Sequence, residues 1–335
     1  MKMNHKFIFC LLAVASIATS CRPKDGGDTE NGDTSSATES VKTPQFDENN
    51  AYSYMVSQCA FGPRVVNTAA HDTCGQYIIS ALKSLGAEVT DQYADMSLYD
   101  GTPVRVRNII ASYVPENTDR VMLCAHWDTR PWADHDPVET HHHTPIDGAN
   151  DGASGVGVLL EVARQLQAKS PKTGVDLVFF DAEDCGVPSW ASYEGDSENT
   201  WCLGSQHWAE QARQQGYRPR FGILLDMVGG VNSVFYKEGF STYYAADVVN
   251  QVWAAAQRAG YGDFFKSVDG GTYTDDHLPV NRTAGIPCID IIATNPQSTG
   301  GFVDSWHTLS DNMRNIDKRT LKAVGQTLLN VIYNL

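Results

Sequence analysis

Apolar residues recur along this chain with two different spacings. Residues 69–85 (AAHDTCGQYIISALKSL) place them three and four apart and stop at Gly86, which predicts a helix with a glycine just past its end. The same spacing predicts helices over 153–168 and 316–332. Residues 120–126, 175–180, 221–227 and 287–293 are instead short, mostly apolar runs, and 104–114 also reads as a strand. Runs of that kind between helices predict strands covered on both faces, because a half-exposed strand alternates apolar with polar. The expected fold class is α/β, three layers (α/β/α) around a central mixed, mostly parallel sheet. With no internal repeat and no later shift of composition, residues 49–335 read as a single domain.

The first residues follow a different pattern. Lys2, His5 and Lys6 precede an apolar stretch over 7–17 that is too short to span a bilayer, and Ala18-Thr19-Ser20-Cys21 follows. This resembles a bacterial lipoprotein signal. It implies a signal peptide over 1–20, a lipid anchor on Cys21, and an exported cell-envelope protein of the periplasm or outer membrane. Residues 21–48 are rich in Gly, Ser, Thr, Asp and Glu and read as a flexible tether. Hydrophobic content of 42% fits a packed enzyme, and a net charge of −15 argues against a nucleic-acid partner. In an exported chain Cys59 could pair with Cys74, and Cys185 with Cys202. No CxxC spacing suggests a thiolate zinc site. The run His141-His142-His143 reads as a solvated loop.

Polar residues collect where the apolar runs stop, and in open α/β sheets that edge holds the sites. His126 and Asp128 lie two apart at one strand end, a spacing that suits a ligand oriented by a carboxylate. Asp151 sits in the glycine-flanked loop GANDGASG just before a helix, where an isolated Asp is most simply an N-cap. Asp181-Ala182-Glu183-Asp184 leaves a largely apolar run, and gathered carboxylates call for a cation or hydrogen bonds. Asp226, Asp275-Asp276-His277 and Trp306-His307 complete the series. An N/O ligand set without cysteine favours zinc.

Taken in order, these motifs resemble the M28-type zinc aminopeptidase superfamily, and within it the glutaminyl cyclases of animal type that also occur in bacteria. The resemblance covers roughly residues 60–333 and includes GPRV, AHWDTRPWADHD, GANDGASG, LVFFDAED, LGSQHWA, ILLDMVGG, TDDHLP and SWHT. It implies one Zn2+ per chain on Asp151, Asp184 and His307, with Glu183 as acid/base and Asp226 and Asp275 assisting it. Trp190, Phe302 and Trp306 are implied as walls of the substrate pocket. The implied substrate is a peptide or protein with N-terminal glutamine, converted to pyroglutamate with release of ammonia by a monomer. In the superfamily's peptidases His126 and Asp226 hold a second zinc bridged by Asp151, so a di-zinc aminopeptidase is the alternative. Asp184 departs from the pattern, since Glu often stands there.

Overall fold

The computed structural model describes residues 42–298 and 301–335. The expected signal peptide, Cys21 and most of the expected tether lie outside the described residues. The composition predicts a tether through residue 48, yet the chain is docked before that point. Phe46 is 1% exposed and packs on Gly325, and its N–H donates to Gln326 Oε1 at 2.9 Å. One buried aromatic is worth ~1.5–3 kcal/mol, and a composition averaged over a polar stretch conceals it. Asp47 then caps the first helix, α1 (Glu48–Cys59), by accepting from the N–H groups of Asn49 and Asn50.

The chain continues as α2 (Ala69–Ser84), β1 (Glu88–Ser97), β2 (Pro103–Tyr113), β3 (Arg120–His126), α3 (Ala153–Ala168) and β4 (Gly174–Phe180). It then forms α4 (Leu203–Gln215), β5 (Gly222–Asp226), β6 (Phe235–Lys237), α5 (Gly239–Arg258) and β7 (Phe265–Asp269). The last elements are α6 (His277–Pro279), β8 (Cys288–Ile292) and α7 (Lys318–Ile332). The main sheet has the order β1-β2-β4-β3-β5-β8. Its β4, β3, β5 and β8 run parallel, while β1–β2 and β2–β4 pair antiparallel. The five segments expected as strands are β2, β3, β4, β5 and β8. The edge strand β1 was not among them, because its residues alternate between exposed and half-buried and offer no apolar run.

Alternation along β3 shows why the sheet needs two helical layers. Val121, Leu123 and Ala125 enter one core, which α1, α2, α3, α5 and α7 cover. Met122 and Cys124 enter the other, where α4 contributes Trp208, Ala209 and Ala212. From β3 the connection through α3 leads to β4 on one side, whereas β5 lies on the other. This reversal opens a crevice beyond the carboxyl ends of the parallel strands, the place where such sheets bind ligands.

Candidate metal centre and acid/base site

Each acidic loop reaches the crevice because a second residue fixes its backbone. Beyond β3, the buried Asp128 carboxylate accepts the N–H of Glu183 at 3.1 Å and of Asp184 at 3.2 Å. Beyond β4, Asp181 turns away from the crevice. It pairs with His71 at 2.8 Å and accepts the Arg107 N–H, so it anchors the acidic turn and takes no part in the site. Ahead of α3, Asp311 accepts the N–H groups of Asn150 (2.8 Å) and Asp151 (3.0 Å), while Arg64 donates to the carbonyls of Asp147 and Gly148. Gly152 has φ +99°, and a Cβ there would lie 2.5 Å from the Asp128 carbonyl oxygen, so this turn admits only glycine.

The consequence is a tight group of ligand atoms. Among the described residues Asp151, Asp184 and His307 offer atoms that all lie within 4.8 Å of one another. His307 Nε2 stands 3.0 Å from Asp184 Oδ1 and 3.7 Å from Asp151 Oδ2. Both Asp184 oxygens are buried and accept no hydrogen bond. Two carboxylates and an imidazole, all buried and with the Asp184 oxygens unsatisfied, fit a zinc ion. The opposite His307 nitrogen, Nδ1, faces Asp134 Oδ1 at 3.5 Å, and Asp134 is clasped by Arg130 at 2.7 and 3.0 Å. Burial would raise the Asp134 carboxyl, but His307 and Arg130 hold it well below the usual range. Asp134 is thus placed to orient the imidazole electrostatically.

A second group shares Asp151. His126 Nε2 lies 3.1 Å from Asp151 Oδ1 and 3.2 Å from Asp226 Oδ1. Its Nδ1 faces Asp128 Oδ1 at 3.5 Å, so the orienting carboxylate read from the two-residue spacing is in place.

Glu183 lies beside both groups, within 4.8 Å of Cys202 and Asp275. Burial first, and then the charges of Asp184, Asp275 and Asp276, push its carboxyl well above the usual range against the pull of His126. Burial also pushes Asp226 and Asp184 up to about 6, and burial with the Asp226 charge pushes Asp275 up to about 7. Carboxyls so raised exchange protons near neutrality, as acid/base chemistry requires.

A cavity of about 260 Å³ opens onto these groups. Phe302 and Trp306 line it as expected, their rings 4.4 Å apart, with Trp306 stacked on His307 at 3.8 Å. Trp190 does not belong to it. That ring is 40% exposed and packs edge-on against Trp132 at 6.0 Å and beside His143 at 4.5 Å. The wall expected of Trp190 is supplied by Trp201, whose ring lies 6.0 Å from that of His307 with planes within 10° and carries the Arg130 guanidinium 4.5 Å from its centroid. Both tryptophans bracket one polar loop, and spacing alone does not say which end of it turns inward. The histidine run is partly packed, with His141 Nδ1 3.0 Å from Asp136.

All six cysteines of the described residues are free thiols. Cys185 and Cys202 flank the same loop but face different carboxylates, Asp128 at 4.0 Å and Glu183 at 3.5 Å, so the expected pairing does not form. Cys59 and Cys74 are likewise unpaired.

Residues 108–332 match the model of peptidase family M28. The chain belongs to that family. Its fold is that of the crystal structure of Bacteroides thetaiotaomicron glutaminyl cyclase bound to N-acetylhistamine, with 57% identity and a TM-score of 0.85. That alignment covers 88% of this chain and 99% of the other. A glutaminyl-peptide cyclotransferase of Drosophila melanogaster is 26% identical over 77% of this M28 chain and 73% of its own length. The aminopeptidase YwaD of Bacillus subtilis (strain 168) is 27% identical over 76% of this chain, which spans only 50% of that protein. M28 membership accounts for the zinc-type ligand groups, and it leaves their occupancy to the residues around them.

Proposed function

We propose that this M28 chain is a zinc-dependent glutaminyl-peptide cyclotransferase that converts N-terminal glutamine of peptides and proteins to pyroglutamate. The observation that carries the reading is the small pocket walled by Trp201, Phe302 and Trp306, with Glu183 at its floor beside the Asp151, Asp184 and His307 group. A flat glutamine side chain fits between aromatic faces, and a site that excludes water favours attack by the substrate's own amine over hydrolysis. The 57% identity to a glutaminyl cyclase over nearly the whole of both chains supports the same reading.

Asp151, Asp184 and His307 would hold one zinc ion, which when bound would supply Lewis acidity toward the γ-amide carbonyl. The remaining work falls to side chains. Glu183 takes a proton from the α-amine as its nitrogen bonds to the γ-carbon, and returns it to the departing nitrogen, which leaves as ammonia. Asp226 and Asp275 orient the amine and Glu183. His126, held between Asp151 and Asp226, stands where a second cation would be ligated. The order of residues over 1–21 supports export and a lipid anchor on Cys21 for a monomeric enzyme.

A second reading, hydrolysis of N-terminal residues by two zinc ions, is favoured by one observation: His126, Asp151 and Asp226 also form a ligand group. Incubation of the zinc-loaded protein with a glutamine-leading peptide, with and without chelator, decides between them. A product lighter by one ammonia, formed only with metal, is expected. Release of free glutamine, with two zinc ions per chain, overturns the proposal.

A further inference from the structure

The Glu183 carboxylate accepts a single side-chain hydrogen bond among the described residues, and it comes from a cysteine. Cys202 is 2% exposed and its Sγ lies 3.5 Å from Glu183 Oε1. We infer that Cys202 is a positioning residue for the acid/base carboxylate: its thiol holds one oxygen of Glu183 and leaves the other to meet the substrate's nitrogen. The inference rests on the assignment of Glu183 as the proton-transfer group.

The backbone shows that this juxtaposition is built into the fold. Cys202 has φ +58°, a left-handed conformation uncommon for a residue with a Cβ. It is held there because its own N–H donates to the Glu183 carbonyl at 2.9 Å. The next two N–H groups donate to the carbonyls of Ala182 (3.1 Å) and Asp181 (2.9 Å). The start of α4 is therefore laced to the acidic turn residue by residue. Gly204 permits the close approach, since a Cβ there would lie 2.2 Å from the Asp181 carbonyl oxygen. The lacing sets the Cys202 side chain opposite the Glu183 carboxylate.

The chemistry of a thiol suits this place. A cationic donor would hold the carboxylate more tightly, but its charge would favour the ionised form and lower the proton affinity that acid/base work needs. A thiol is a weak, neutral donor. Burial first, and then the charges of Glu183, Asp276 and Asp275, push the Cys202 thiol well above its ordinary range, so it keeps its proton and remains a donor. Orientation is thereby fixed without a compensating positive charge.

The test uses the zinc-loaded enzyme and a glutamine-leading peptide, with steady-state kinetics, metal content and thermal melting on each variant. Cys202→Ala is expected to lower kcat about tenfold with KM changed less than about twofold and zinc retained, since the group it acts on moves a proton and does not bind the ground state. Cys202→Ser, which keeps a donor, is expected to recover most of kcat, and Cys202→Val, which fills the volume without a donor, to behave like Cys202→Ala. Equal loss in the Ser and Val variants, or no loss in Ala and Val, overturns the inference. Should the Ala variant melt below the assay temperature, the Ser-to-Val ratio carries the decision alone. Wild-type enzyme that yields free amino acid overturns the cyclisation reading while leaving this ratio to judge Cys202. Wild-type protein inert toward every peptide sinks both.

Discussion

The two halves of the site are held by opposite means. On the proposed metal side every element is tied to a carboxyl partner: Asp311 takes the Asp151 backbone, Asp128 takes that of Asp184, and Asp134, clasped by Arg130, faces His307. On the side proposed for acid/base work Glu183, Asp226 and Asp275 crowd together with raised proton affinities; Asp184 shares that rise and Asp128 also takes the Glu183 backbone, but the one side-chain hydrogen bond to Glu183 comes from a thiol. The contrast teaches what each half requires. A metal ligand must stay ionised and in place, so strong charged bonds serve it. A proton carrier must change its charge in every cycle, and a strong ionic partner would trap one state.

Substitutions can pull the halves apart. The largest effect is expected from His307→Ala, which removes an imidazole no neighbour replaces. Bound zinc and turnover should both fall to background, read by metal analysis of the dialysed protein, and unchanged zinc content would remove His307 from the ligand set. Glu183→Gln should keep its zinc yet lose ~10²–10⁴ in kcat, the usual worth of a positioned acid/base. That pair of results, metal lost without chemistry tested and chemistry lost with metal kept, is what the comparison demands.

Asp134→Asn leaves His307 in place but withdraws its charged partner. A loss of ~10–100-fold in zinc affinity is expected, measured by competition with a chelator. Acidity should act on the same half. Asp184 in the metal-free protein has its carboxyl raised to about 6, so below that pH zinc must displace a proton. His307, whose imidazole is raised despite burial by the Asp184 charge, must also give up a proton, so affinity is expected to fall more steeply than about tenfold for each pH unit below 6. The stability of the metal-free protein follows the opposite course. A carboxyl whose folded pKa lies above its unfolded one keeps more protons in the folded state. Its contribution is therefore favourable at low pH and is lost as pH rises from about 4 through 6. Melting of metal-free and zinc-loaded protein across that range should show a gap that widens upward, and a gap that narrows would contradict the raised carboxyl.

The smallest expected effect separates the two tryptophans. Trp201→Ala removes a pocket wall and should raise KM about tenfold, whereas Trp190→Ala should change it less than about twofold. The reverse result would return Trp190 to the pocket.

Much of this was legible in the sequence because buried parallel strands write themselves as mostly apolar runs. The runs ending at His126, Phe180 and Asp226 placed the chemistry at one sheet edge before any contact was known. The ligand group was legible as an ordered series of motifs. Three things were not. Strand β1 lies at an edge with half its residues in water, so no run marks it. Phe46 is one aromatic in a polar segment, and its docking depends on Gln326 and Gly325 at the far end of the chain. Trp201 and Trp190 stand at opposite ends of one loop, and only the path of that loop decides which faces His307. The cysteine pairings failed for a related reason. Proximity in sequence brought Cys185 and Cys202 to one neighbourhood, but strand and helix termini aimed them at different carboxylates.

The bond pattern at Asp128 has one more implication. A single carboxylate grips two successive amides, so Glu183 and Asp184 form one rigid dipeptide whose backbone cannot retreat. At position 184 this chain has Asp, one methylene shorter than Glu. An added methylene at position 184 would have to extend into the cavity toward the ligand group, because the main chain has no slack to absorb it. Anyone redesigning this enzyme to accept bulkier substrates would therefore do best to loosen the clasp at Asp128 before altering the side chains it presents.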